Sequence, residues 1–178
     1  MKIRLLVLYL FLFTASVSFA NTSNAYRLPD LRAQYLEASK DSDAGKRFYQ
    51  LMSGYEDSNP VVLAYKAVSE AIMAKHVWNP YMKMKHLNRS SEVFEQAVQL
   101  DSQHPEIRFL RFTVEHYVPR YLNMSKNLEE DKVQIIAGLQ RHPKSGLPAE
   151  MARNMRDFML SKDHCTEEEK RTLKSLTI

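Results

Sequence analysis

An all-α protein built from stacked antiparallel helical hairpins is the fold class that this chain predicts, and three observations predict it. Only 4 of its 178 residues are Gly, the residue that weakens a helix interior by roughly 1 kcal/mol relative to Ala. Apolar residues recur at helical spacing in one segment after another, and no stretch alternates with period two for long enough to make a strand. Polar turns rich in Pro, Asn, Asp and Ser separate these segments at short intervals, which gives seven to eight helices.

The first twenty residues stand apart from this pattern. Lys2 and Arg4 precede an unbroken apolar run from Leu5 to Phe13, and Ser18 and Ala20 supply small residues at −3 and −1 of a cleavage site. The run is shorter than the ~20 residues that span a bilayer. Residues 1–20 therefore read as a signal peptide cleaved after Ala20, and a periplasmic or secreted location is expected. Cleavage removes two cations and leaves 23 basic against 21 acidic residues. That balance gives no reason to expect nucleic acid, which calls for a clustered basic face, despite a sequence pI of about 9.1. Cys165 is the only cysteine, so the fold rests on packing and no internal disulfide can form.

Residues 21–28 read as a polar, frayed entry, and a single helical domain is expected over 29–178. Leu31, Tyr35 and Ala38 share one face of a first helix. Ser42 or Asp43 can cap a second helix carrying Ala44, Phe48 and Leu51. The third, about Pro60 to Val77, bears a stripe of small residues, Ala64, Ala67, Ala71 and Ala74, along which a neighbouring helix can come close. Trp78-Asn79-Pro80 breaks it. The fourth, about Tyr81 to Leu100, has Met84, Leu87, Ser91, Phe94 and Val98 as its expected seam. The fifth, from Pro105, carries two apolar faces: Ile107, Leu110, Val114 and Tyr117 on one, and Phe109, Phe112 and His116 on the other. A helix apolar on two sides is sandwiched between neighbours, which places this one at the centre. Asn127 with Glu130 has the pattern of a capping box opening a sixth helix, in which Val133, Ile136 and Ala137 are expected to face inward. Met151, Met155, Phe158 and Met159 mark a seventh, and Thr166 with Glu169 opens a short eighth.

Phe94, Ala97 and Leu100-Asp101, followed by a fresh helix at Pro105, resemble the second helix of a tetratricopeptide repeat. Ser90 and Ser102 stand where that family usually has Ala and Pro, and the likeness covers about residues 60–118. The sequence AKHVWNPYMKMKHL followed by HPEIRFLRF is also similar to small exported bacterial proteins of no assigned activity. The resemblance to the repeat family implies a right-handed stack of α-α hairpins whose concave side binds peptides or proteins. It implies no catalytic residues.

Two groups of residues are candidates for a binding surface. Lys75, Lys83, Lys85 and Arg89 fall in an interval free of acids between Glu70 and Glu92, with Trp78 and Tyr81 among them. Aromatics beside Lys and Arg suit an acidic protein or peptide, or contact with an anionic envelope surface. A solvated helix face beside a buried Trp that plugs the hairpin end is the plainer alternative. Arg108 and Arg111 lie on the central helix between its two apolar faces. They either meet a ligand carboxylate or are paired internally, with Glu70, Glu92 and the run Glu129-Glu130-Asp131 as potential partners. The six His residues show no i,i+4 pairing. Gly-rich phosphate loops, Gly-x-Ser-x-Gly turns and zinc-protease helices are missing as well. The expectation is a non-enzymatic protein- or peptide-binding module, without metal or cofactor, using Lys75, Trp78, Tyr81, Lys85, Arg108 and Arg111. A small-ligand or lipid carrier, with a cavity bounded by Phe109, Phe112, Met151 and Met155, is the alternative.

Overall fold

The computed structural model describes residues 25–178, so the expected signal peptide and its cleavage site lie outside the described residues. Eight α-helices follow in order: α1 (Leu28–Ala38), α2 (Ser42–Ser53), α3 (Pro60–His76), α4 (Pro80–Leu100), α5 (Pro105–Tyr117), α6 (Leu128–Gln140), α7 (Ala149–Leu160) and α8 (Glu167–Lys174). A single 3-10 turn, Arg120–Leu122, lies between α5 and α6.

The helix starts follow local chemistry. Asn59 and Asn79 each precede a Pro, and their side chains accept from the first free backbone N–H groups of α3 (Val61 N, 3.1 Å) and α4 (Tyr81 N, 2.9 Å). Asn at the cap and Pro at the first helical position satisfy one orphan donor and remove another. Asp41, one residue ahead of the expected caps, accepts from Ala44 N at 2.7 Å and opens α2. Thr166 and Glu169 form the reciprocal capping box that starts α8. The box expected at α6 does not form. Asn127 instead turns its side chain and its N–H onto the Glu115 carboxylate (2.6 and 2.8 Å), while Glu130 reaches Arg108. Order also begins earlier than the expected frayed entry allowed: Tyr26 packs edge-on against Tyr55 and donates to Leu51 O.

Consecutive helices from α1 to α4 pack on each other, as do α5 and α6, and α3 touches both α1 and α5. The hairpins are antiparallel: Glu70 of α3 meets His86 of α4, and Glu115 of α5 meets Asn127 at the start of α6. Of the expected Ala stripe, Ala64 and Ala67 are fully buried and Ala74 nearly so, while Ala71 is half-buried at its margin. The seam of α4 is rotated from the expected one and runs through His86, Ser90, Val93, Phe94 and Ala97, with Ser91 outside. The rotation has a cause. His86 goes inward because Glu70 supplies its partner, and small Ser90 and Ala97 fit a close approach to α3. On α6 the inward residues are Asp131, Lys132, Ile135, Gly138 and Leu139, while Val133 faces water. Gly138 is required there, since a Cβ on it would lie 2.3 Å from the Pro105 Cβ. That contact fixes where α6 crosses the start of α5.

Two cores result, with α5 between them. The first joins Leu31, Phe48, Met52, Tyr65, Val68, Phe94, Ile107 and Leu110 across α1–α5. The second joins Phe109 and Phe112 with Ile135, Leu139, Met151, Met155, Met159 and Leu173 across α5–α8. The doubly apolar α5 is central, as its pattern requires.

Candidate functional site

At the tip of the α3–α4 hairpin, Asn79-Pro80 stops one helix and starts the next, with Val77 and Asn79 in extended backbone on either side of Trp78. Trp78 is 96% exposed and Tyr81 is 74% exposed. Trp78 does not plug the hairpin. Packing among the described residues gives no reason for an indole to be so exposed. Lys75, Lys83 and Lys85 are exposed around it. The acids that flank this interval in the sequence are otherwise engaged: Glu70 bonds His86, and Glu92 pairs with Arg89 at 3.2 Å.

Beside the tip lies an open groove of about 570 Å³ between α2 and the α3–α4 hairpin, lined by Tyr49, Glu70, Tyr81, Met82, Lys85, His86 and Arg89 among others. The buried Glu70–His86 pair (Oε2···Nδ1, 2.6 Å) contributes to its lining. The Tyr49 ring stands edge-on to His86, with centroids 5.6 Å apart. The lining therefore offers aromatic faces for stacking, the thioethers of Met82 and Met84, and the Lys85 ammonium, while Arg89 is paired with Glu92 and His86 with Glu70 in the same lining. Such a mixture holds a side chain by area and its charge by complementarity.

Arg108 and Arg111 are not part of this surface. Each is 3% exposed. Asp131, with no exposed area, takes Arg111 Nε and Nη2 on its two oxygens at 2.8 and 2.7 Å, and Arg108 Nη1 at 2.9 Å. Glu130 and Glu95 accept from the remaining Nη1 capacity at 2.7 and 3.1 Å, and Arg108 Nε donates to Ser102 O. Burial works against the Arg111 charge, yet Asp131 outweighs it and its pKa is raised. The carboxylates that consume these arginines come from α4 and α6, so the polar stripe of α5 is a structural seam. A second seam lies at the start of α5, where buried Glu106 receives Arg32 Nε and Nη2 (2.8 and 2.7 Å) and the Tyr65 hydroxyl (2.8 Å). Burial, reinforced by the Glu106 charge, raises the Tyr65 pKa and keeps the phenol protonated.

The third cluster escaped sequence reasoning. His164, in the α7–α8 turn, is 5% exposed, and both of its ring nitrogens lack a hydrogen-bond partner. It stacks on Phe158 (4.6 Å) and meets His116 edge-on (4.2 Å). Burial lowers the pKa of both histidines, and the neighbouring Lys162 adds to it. The apolar spacing of Phe112 and His116 announced a buried ring on α5, but nothing in the sequence announced its partner. Among the described residues, no group of three or more His, Cys, Asp or Glu side chains is placed to hold a metal. Burial, the leading cause, pushes the Cys165 thiol up to about 11, which keeps it protonated and unreactive.

No protein family, curated protein or solved structure matches this chain at a significant level.

Proposed function

We propose that the chain is a non-enzymatic protein- or peptide-binding module that recognises an acidic segment of its partner, stacked in the tetratricopeptide-like manner and working outside the cytoplasm. The observation that carries this reading is the groove beside the α3–α4 tip, where Tyr49 and Tyr81 stand with Lys85 and Arg89 around it. The adjacency of α1 to α3 and of α3 to α5, with α2, α4 and α6 as the returning helices, supports the repeat-like stacking. The binding residues that remain from the sequence are Lys75, Trp78, Tyr81 and Lys85. Tyr49, Met82 and Arg89 join them, and Arg108 and Arg111 leave.

The carrier alternative has no comparable support. Phe109, Phe112, Met151 and Met155 pack on one another in the second core, where its cavity would have to lie. Capture from envelope extract tests the binding reading. The chain should enrich a partner that a Tyr49→Ala, Lys85→Glu double variant loses, while the thermal unfolding of the variant stays close to that of the parent. Equal recovery by the variant would refute the groove as the recognition surface.

A further inference from the structure

All four large aromatic side chains that stand exposed among the described residues lie at one end of the helix stack. They are Trp78 (96%), Tyr81 (74%), Tyr117 (62%) and Tyr121 (85%). Their common level follows from register. Tyr65 of α3 donates to Glu106 of α5, and each helix ends eleven residues further on, at His76 and at Tyr117. Helices α3 and α5 run parallel, because α4 lies antiparallel to both, with His86 against Glu70 of α3 and Glu95 against Arg111 of α5, so the two ends lie at one level. Trp78 belongs to the connection after α3, and Tyr81 to the first turn of α4. Tyr121 projects from the 3-10 turn after α5. The α7–α8 turn reaches the same end, with Lys162 Nζ 5.3 Å from the centre of the Tyr117 ring.

The same end collects exposed cations from three connections: Lys75 and Lys83 flanking the first, Arg120 and Lys126 in the second, and Lys162 in the third. The acids close by are Asp163, next to Lys162, and those of the α1–α2 connection, which Gly45 places against His76: Asp43, paired with Lys46, Asp41, whose side chain caps α2, and exposed Glu37. Glu115 is buried on Asn127, and Glu129 pairs with Lys132. Trp and Tyr rings prefer the headgroup level of a bilayer, where the ring is half in hydrocarbon and its polar atom stays wet. Lys and Arg beside them gain from anionic headgroups, by roughly 1 kcal/mol for each residue near the surface. None of the described helices is long and apolar enough to cross a membrane, so any attachment by these residues is peripheral.

We propose that this end of the stack docks on an anionic phospholipid surface, with Trp78, Tyr81, Tyr117 and Tyr121 at the headgroup level and Lys75, Lys83, Arg120, Lys126 and Lys162 on the lipid phosphates. The groove lies to the side of this end and stays accessible, so a docked molecule presents it parallel to the membrane. The proposal shares Trp78 and Tyr81 with the surface proposed above, but Tyr117, Arg120, Tyr121 and Lys126 belong to it alone.

The chain has one tryptophan, so its fluorescence reports on Trp78 without labelling. Protein in its mature form is titrated with vesicles of phosphatidylcholine alone and with vesicles containing one third phosphatidylglycerol. The expected result is a shift of the Trp78 emission to shorter wavelength and co-sedimentation with the anionic vesicles only, both weakened by salt. An Arg120→Gln, Lys126→Gln variant should partition about 30-fold less well, at ~1 kcal/mol per cation removed, while keeping its envelope partner in the capture experiment. Equal binding to both vesicle types, equal binding by the variant, or an unshifted Trp78 spectrum would each overturn the proposal. Capture that fails while vesicle binding persists refutes the groove reading alone.

Discussion

The two cores on either side of α5 are held together in different ways. In the first, the buried polar groups of two networks are answered: Glu106 by Arg32 and Tyr65, and Glu70 by His86. Its apolar part is built on aromatics and on alanines that let α3 and α4 close on each other. The second core relies on Met151, Met155 and Met159, flexible side chains that fill irregular space, and it encloses His164 with neither nitrogen bonded. The first core leaves only small groups such as Ser90 Oγ unanswered and pairs its carboxylates, which specifies one arrangement, whereas methionine packing with an unanswered imidazole leaves the far half easier to loosen. The C-terminal half should therefore be the first to respond to stress. Hydrogen exchange that is faster in α7 and α8 than in α3 and α4 would bear this out.

The largest effect is expected at the seam between the halves. Asp131→Asn leaves Arg108 and Arg111 buried with most of their carboxylate partnership gone. It should cost about 3–5 kcal/mol, the range for removing one partner of a buried pair, read as a fall in the denaturant midpoint. A loss below about 1 kcal/mol would mean that water reaches these arginines. Gly138→Ala comes next. Its new Cβ must displace Pro105, whose ring cannot rotate away, so overpacking should exceed the ~1 kcal/mol gained in helix propensity and leave a net loss of about 1–2 kcal/mol.

The third prediction concerns pH. Burial depresses the pKa of His116 and His164 below the ordinary 6.5, so on acidification the unfolded chain takes up protons before the folded one. Their contribution to stability is fully present above about pH 6.5 and is lost as pH falls below it, by up to ~1.4 kcal/mol per pH unit for each histidine. The loss should appear first in α7 and α8. His164→Phe keeps the stacking on Phe158 and should flatten the pH dependence; an unchanged slope would remove this residue from the account. The smallest effect belongs to the exposed tip. Trp78→Ala should change stability by no more than about 0.5 kcal/mol, because its side chain is almost wholly in water.

The helices were legible from the sequence because their signals are local. Asn-Pro and His-Pro steps, the Ala stripe and the Thr166–Glu169 box each act within a few residues. The double face of α5 was legible for the same reason. The errors lie where a residue takes a distant partner in preference to a local one. Asn127 left its own helix for Glu115, and His86 turned α4 because Glu70 was there to receive it. Arg108 and Arg111 could be narrowed to two roles on sequence grounds, but only the position of α6 decides between them, and that position depends on Gly138 meeting Pro105. The basic-aromatic interval was visible because its residues are contiguous. Tyr49, Tyr117 and Tyr121 come from separate segments, so nothing in the sequence joins them to Trp78.

The central position of α5 also limits how this chain can be divided. Ile107 and Leu110 serve one core, and Phe109 and Phe112 serve the other, within a single helix. A fragment ending in the α5–α6 connection would carry a bare Phe109–Phe112 face, and one beginning there would lack the wall its methionines pack against. The two halves thus share a helix where separate domains would share a linker. The first core is complete once α5 is made, but the second needs the chain as far as α8, so a nascent chain stopped after α5 would offer a sticky aromatic face to chaperones and to its own copies.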